Sequence, residues 1–202
     1  MERTAMRSKC DAEGLRLQVH LPHQVQERGK NGKKDIMRDR IIIGIDPDVG
    51  QSGIGRLDYG ERKCTATHLP FPLLVDYIRD IKDIARRKEV DLIVYVEASW
   101  LISHNWHIGW KDTKAVAAKK GQEVGRMHET GRKIMEMLQH YDIDVREQHP
   151  LKKAWRGKDG KITHEEITQI CRWEKKRSNQ EERDAMLIAW YASGLPIRIA
   201  VK

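Results

Sequence analysis

Long apolar runs are missing from this 202-residue chain. None approaches the ~18 residues that a membrane-crossing helix needs, and the N-terminus lacks the apolar core of a signal peptide. The expectation is an intracellular, cytoplasmic protein with no membrane partner. Cysteine is scarce as well. Cys10, Cys64 and Cys171 lie far apart and form no C-x-x-C pair, which argues against structural zinc and against a disulfide framework. Reduced, mostly buried thiols are the expected state. Internal repeats and low-complexity segments are absent too. What is present fits a soluble globular chain, with 39% hydrophobic and 34% charged residues. Lys and Arg number 38 against 30 Asp and Glu, a net charge of +8. Such an excess favours a polyanionic partner.

Residues 1–40 differ from the rest. They are polar and mixed in charge, ten basic against six acidic, with no sustained periodicity beyond a short alternation from Leu15 to Leu21. They read as a basic N-terminal arm or extension. From Ile41 the pattern sharpens, and residues 41–202 read as one domain. Ile41–Asp46 is a continuous apolar run of the kind found in central strands. "SGIGRLDY" and "RKCTATHL" follow, separated by Gly60-Glu61, and predict a three-strand meander. Residues 73–88 carry apolar positions at helical spacing. "DLIVYVEA" is a second buried strand, ending in Glu97. An irregular Trp- and His-rich segment spans 99–112. A long helix is expected over about 114–140, then a strand at "IDVREQH". Thr163 and Glu166 form a capping box opening a helix to about Trp173. A last helix is expected over about 180–193, ended by Gly194 and Pro196.

Asp46 and Glu97 each close an apolar strand. On neighbouring strands they would meet at one edge of the sheet. In the last helix Glu181 and Asp184 are three apart and share a face, with Glu182 expected to turn towards solvent. Clustered acids repel unless a hard cation sits among them, and oxygen-rich sites suit Mg²⁺ or Mn²⁺. Two such ions about 4 Å apart would activate a water and stabilise a leaving oxygen in phosphodiester hydrolysis. Each acid also has a plainer role open to it. Asp46 before Pro47 suits an Asx-turn, and Glu181 suits a capping box with Ser178. Asp184 lies among Ala185, Ile188 and Ala189 on a face that should be buried. Asp48, two residues beyond Asp46, reads as a turn residue.

These residues, in this order, resemble the RuvC family of Holliday-junction resolvases within the RNase H-like superfamily. "GIDPDVGQSGIG" is similar to that family's first motif, with its Asp, Pro and Gly-rich turn. "VEASW" resembles the second, a strand-end Glu with an aromatic three residues on. "KKGQEVG" resembles its Gly-Gln-x-x-Gly, and "NQEERDAMLIAWY" its final acidic helix. The four together cover about residues 41–192. Asp48 stands where that family usually has Gly, and Glu181 where it usually has Asp. The resemblance implies an α/β RNase H-like fold: a mixed five-stranded sheet, a three-strand antiparallel meander plus parallel strands, flanked by helices. It implies Asp46, Glu97, Glu181 and Asp184 as catalytic, metal-binding acids. It also implies two ions per active site, a homodimer, and branched DNA such as a four-way junction as substrate. Trp100 takes the place of an aromatic that stacks on bases. The alternative is another nuclease or recombinase of this fold, acting on branched or replicating DNA or on transposon ends.

Lys152, Lys153, Arg156, Lys158 and Lys161 crowd one short loop around Trp155, and residues 151–177 carry nine basic against four acidic residues. Such a loop suits phosphate contacts, with binding that weakens as salt rises. Trp100 suits base stacking, or equally a core position beneath the long helix. Trp106, Trp110, His104 and His107 read as packing or interface residues. Gly121 and Gly125, one helical turn apart, allow close approach of the sheet or of a partner helix. An actin-like or sugar-kinase ATPase would also use a glycine-rich hairpin like 46–55. It would need a second related domain, for which 202 residues leave no room. A DNA-binding module without catalysis would have no use for four acids.

Overall fold

The computed structural model describes residues 39–102, 109 and 111–197. Residues 1–38 of the expected arm, with Cys10, lie outside the described residues, as do His104, Trp106, His107 and Trp110. In chain order the elements are β1 (Arg40–Asp46), β2 (Ser52–Asp58), β3 (Lys63–Leu69), α1 (Phe71–Lys88), β4 (Asp91–Glu97), α2 (Lys114–His140), β5 (Asp144–Gln148), α3 (His164–Cys171) and α4 (Gln180–Ala192). This is the order expected from the sequence. Helix α3 ends two residues early, because Arg172 takes a left-handed conformation at φ 52° and breaks the hydrogen-bond ladder.

The strands form one sheet in the order β3-β2-β1-β4-β5. β1, β2 and β3 pair antiparallel, and β4 and β5 run parallel to β1 and to each other. This is the mixed five-stranded sheet of an RNase H-like α/β domain. Because β1 is central and covered on both faces, it reads as an unbroken apolar run rather than an alternating one. Its side chains still alternate. Ile41, Ile43 and Ile45 join Leu74, Ile78 and Ile81 of α1 and Ile134 and Leu138 of α2 in one apolar layer. Ile42 points the other way, into a layer with Leu57, Ile167, Ile170 and Met186 from β2, α3 and α4. Each fully buried side chain of this size contributes about 1.5–3 kcal/mol.

On the α4 face the alternation continues from Ile42 through Gly44 to Asp46, and Gly44 lies opposite Gly55 while Asp46 lies opposite Gly53. A Cβ on Gly44 would run into the backbone of Ala185 and Ala189, one on Gly53 into the Glu181 carbonyl, and one on Gly55 into Met186. The three glycines therefore make a flat strip on which the backbone of α4 rests. The strip explains glycines that the sequence suggested were hairpin formers: Gly53 and Gly55 sit inside β2, and what they permit is close approach. The turn itself is made by Asp48. Its carboxylate accepts from the Gly50 amide at 2.8 Å, and its backbone exchanges hydrogen bonds with the Ser52 hydroxyl. Gly121 and Gly125 make no such approach. Nothing lies within 4 Å of a Cβ built on either, so neither packs on the sheet.

Candidate active site

Asp46 and Glu97 end adjacent parallel strands whose register pairs Ile45 with Val96, so the two acids follow side by side. Helix α4, seated on the glycine strip, brings Glu181 and Asp184 over them. The electrostatics record this convergence. Burial raises the Asp46 carboxyl well above the usual carboxylate range, and the charges of Glu97, Asp184 and Glu181 push it the same way, with Lys161 opposing. Glu97 is raised by burial and then by Asp184, against Lys153, His149 and Lys161. Asp184 is raised by burial, while a hydrogen bond from Gln180 at 2.7 Å and the charges of Lys161, Lys153 and Arg183 pull back. Among the described residues none of the four acids has a salt bridge. A half-buried set of like charges without ion-pair partners is costly to hold, and such arrangements mark functional sites more often than structural ones.

Could these residues hold a cation? Their donors are carboxylate oxygens, the type that Mg²⁺ and Mn²⁺ prefer, and their mutual repulsion is what a dication would relieve. Among the described residues no group of three or more Asp, Glu, His or Cys side chains is spaced to hold a metal ion. The set fits such an ion in chemistry and charge.

Glu182 departs from the sequence reading. It is buried at 3% exposure, not turned to solvent. It is the N3 residue of a capping box with Asn179, accepting from the Asn179 amide while its own amide donates to the Asn179 side chain. Its carboxylate also takes Lys175 at 2.7 Å and His68 at 3.1 Å. The box is therefore Asn179–Glu182, not Ser178–Glu181. Starting the helix one residue later commits Glu182 to the cap and leaves Glu181 free for the site. Asn-x-x-Glu is itself a capping signature, so this signal was present in the sequence.

Trp100 is half-buried and packs against the edge of the α1/α2 apolar layer. Its ring lies over Gly131 and beside Pro47, and its indole N–H donates to Glu147 at 2.9 Å. His128 meets the ring edge-on at 6.4 Å, and the Arg132 guanidinium sits 5.4 Å from it.

In the basic loop Lys152, Lys153, Arg156 and Lys158 are exposed. Among the described residues none of them has an ion-pair partner. The loop is shaped from beneath: Glu166 of α3 accepts from the backbone amides of Arg156 and Thr163. Lys161, which the sequence placed with the phosphate-contacting lysines, acts on Asp46, Glu97 and Asp184 alike. It acts on all three of these acids where Lys153 acts on two, and nothing in linear spacing links position 161 to position 46. A cavity of about 410 Å³ opens beside it, lined by Lys158, Lys161, His164, Gln180 and Arg183 among others.

The fold and its acids define an RNase H-like domain with a carboxylate site at the strand ends. No family model and no curated protein matches the chain. Solved structures do. It is similar to Thermus thermophilus RuvC in complex with Holliday junction substrate, with 16% identity, TM-score 0.40, 76% of this chain and 94% of that chain covered. It is similar to the Thermus thermophilus RuvC structure, at 18% identity and TM-score 0.35, covering 75% and 95%. The Fowlpox virus resolvase with its substrate Holliday junction DNA matches at 11% identity and TM-score 0.38, covering 76% and 97%.

Proposed function

We propose that this protein is a metal-dependent, structure-selective DNA endonuclease, a Holliday-junction resolvase that nicks four-way junctions. The observation that carries the proposal is the meeting of Asp46, Glu97 and Asp184 at the ends of β1 and β4 beneath α4, each raised by burial and without a salt bridge. Asp46, Glu97, Glu181 and Asp184 would hold Mg²⁺ or Mn²⁺. A pair of ions, once bound, would supply water activation and neutralise charge on the phosphodiester and its leaving oxygen. The chain's own residues do the rest. Asp46 and Glu97 are fixed by strand register and give a rigid floor, and the glycine strip sets the height of Asp184 and Glu181 above it. Lys153 and Lys161 moderate the repulsion among the acids and would meet the phosphate backbone. Lys152, Arg156 and Lys158 extend that basic surface away from the site.

A symmetric junction cut at two related positions calls for two sites, which a homodimer would supply. Residues 1–40 are proposed to act as a basic extension to the nuclease domain. Trp100 would stack on a base only after leaving its seat against Gly131.

The test is incubation with synthetic four-way junctions, flaps and linear duplexes in Mg²⁺ or Mn²⁺. Paired symmetric nicks in the junction, reduced at least about a hundredfold by Asp46→Asn, support the reading. Cleavage of flaps or transposon ends with junctions untouched assigns the alternative nuclease or recombinase role. No cleavage of any DNA with either metal would sink both.

A further inference from the structure

Of the four site acids, only Asp184 has a hydrogen bond to its carboxylate among the described residues. Its Oδ1 accepts from the Gln180 side-chain nitrogen at 2.7 Å, one turn back along α4. The oxygen of the same amide accepts from Arg183 Nη2, also at 2.7 Å. Arg183 is pinned from two further directions. Its Nε donates to the Ile162 carbonyl at 3.0 Å, just before α3, and its Nη1 to the Ser178 carbonyl at 2.6 Å, just before α4. Ile162 is 1% exposed, so this anchor belongs to the core. Ser178 is held from α3 as well, its hydroxyl lying 2.8 Å from His164 Nδ1. Among the described residues Arg183 has no carboxylate partner.

The amide gives this chain of contacts a direction. It accepts at its oxygen and donates at its nitrogen, whereas a guanidinium only donates. With Gln180 Oε1 committed to Arg183, Nε2 must face Asp184. The reverse orientation would set donor against donor at Arg183 and oxygen against oxygen at Asp184. Arg183 therefore fixes Gln180, and Gln180 fixes Asp184 Oδ1. Asp184 Oδ2 accepts no hydrogen bond among the described residues and is the oxygen left for a ligand.

We propose that Gln180 is a positioning residue for Asp184, oriented by Arg183, so that Asp184 presents one carboxylate oxygen to a divalent cation. The proposal rests on the reading of Asp46, Glu97, Glu181 and Asp184 as a Mg²⁺ or Mn²⁺ site. Asp46 and Glu97 stand at the ends of paired strands, whose register sets their places. A carboxylate carried on a helix keeps its rotamer freedom unless a neighbour removes it. Partners that orient a metal ligand in this way are typically worth about 10–100-fold in metal affinity.

The experiment measures Mn²⁺ binding to the full chain by calorimetry, without DNA, on protein that urea curves show to be folded. Gln180→Met keeps the length of the side chain and removes the amide. It should bind Mn²⁺ at least about tenfold more weakly than the wild type. Arg183→Lys keeps the charge and loses the fork that holds Gln180, and should weaken binding by less. In the double variant the two losses should not multiply, because Arg183 acts on the position of Asp184 only through Gln180. In the wild type the side-chain amide resonance of Gln180 should shift as Mg²⁺ is added, with the midpoint of Mg²⁺ binding. This last measurement decides the matter even if a variant fails to fold. Wild-type affinity in folded Gln180→Met, losses that multiply, or a Gln180 amide unmoved while Mg²⁺ binds would each overturn the positioning role alone. A wild type that binds neither ion would overturn the cation site, and the positioning role with it.

Discussion

The two faces of β1 are built from one strand and answer opposite demands. Towards α1 and α2 it presents Ile41, Ile43 and Ile45, each at most 2% exposed, in a layer made of aliphatic and aromatic side chains. Towards α4 it presents Ile42, Gly44 and Asp46, so bulk falls away along the strand until a helix backbone rests on the sheet. The first face holds the domain together by volume and depends on filling space. The second gives up contact area near the strand end, and in exchange acids from two strands and a helix come within one another's field. The packed core and the candidate site are thus divided between the faces of a single strand.

Substitutions at matched positions sharpen that contrast. The largest effect is expected from Gly53→Val, whose side chain would strike the Glu181 carbonyl. Overpacking of this kind costs about 1–3 kcal/mol or more, and lifting α4 should abolish junction cleavage even where urea curves show a folded protein. On the other face Ile43→Val should cost about 0.5–1.5 kcal/mol with cleavage retained; equal losses of cleavage in the two variants would erase the distinction. Glu182→Ala comes next. It removes a helix cap and leaves Lys175 without its buried partner, for an expected loss of about 2–3 kcal/mol in denaturant unfolding. Glu182→Gln should recover part of this through the cap.

A smaller effect, of opposite sign, is expected from Asp46→Asn without divalent metal. Asp46 is raised in the folded state, so between the ordinary carboxylate pKa and the raised one the native protein binds more protons than the unfolded chain. Stability contributed at low pH is therefore lost as pH rises through that window. At pH 7 the asparagine variant should be more stable by on the order of 1 kcal/mol. Added Mg²⁺ should raise the melting temperature of the wild type and move the variant less. A variant less stable than wild type at pH 7 would show that Asp46 is satisfied by partners other than a cation. The smallest effect is expected from exposed Lys158→Ala, which should leave folding unchanged and lower the salt dependence of junction binding by about one unit of slope.

Much of the second face was readable residue by residue. The unbroken "IIIGID" run marked a central strand, and strand-end carboxylates at Asp46 and Glu97 marked a site, because a charge closing a greasy strand demands a reason. The i, i+3 spacing of Glu181 and Asp184 marked a shared helix face. The capping residue was misplaced by one, since Ser178 and Asn179 are both good caps and local pattern does not choose between them. The choice follows from Lys175 and His68, which converge on Glu182 from the preceding segment and from β3.

Composition and periodicity alone therefore determined the element order and the basic character of the 151–161 loop, and marked Asp46, Glu97, Glu181 and Asp184 as candidates, because these depend on local hydrogen bonding and on which side chains prefer water. The tertiary structure decided what depends on distance through space. It turned Gly44, Gly53 and Gly55 into a seat for α4, set Lys161 against three acids and buried Glu182. Each of these joins residues from separate elements. Their proximity follows from strand register and helix packing, neither of which leaves a local mark on the chain.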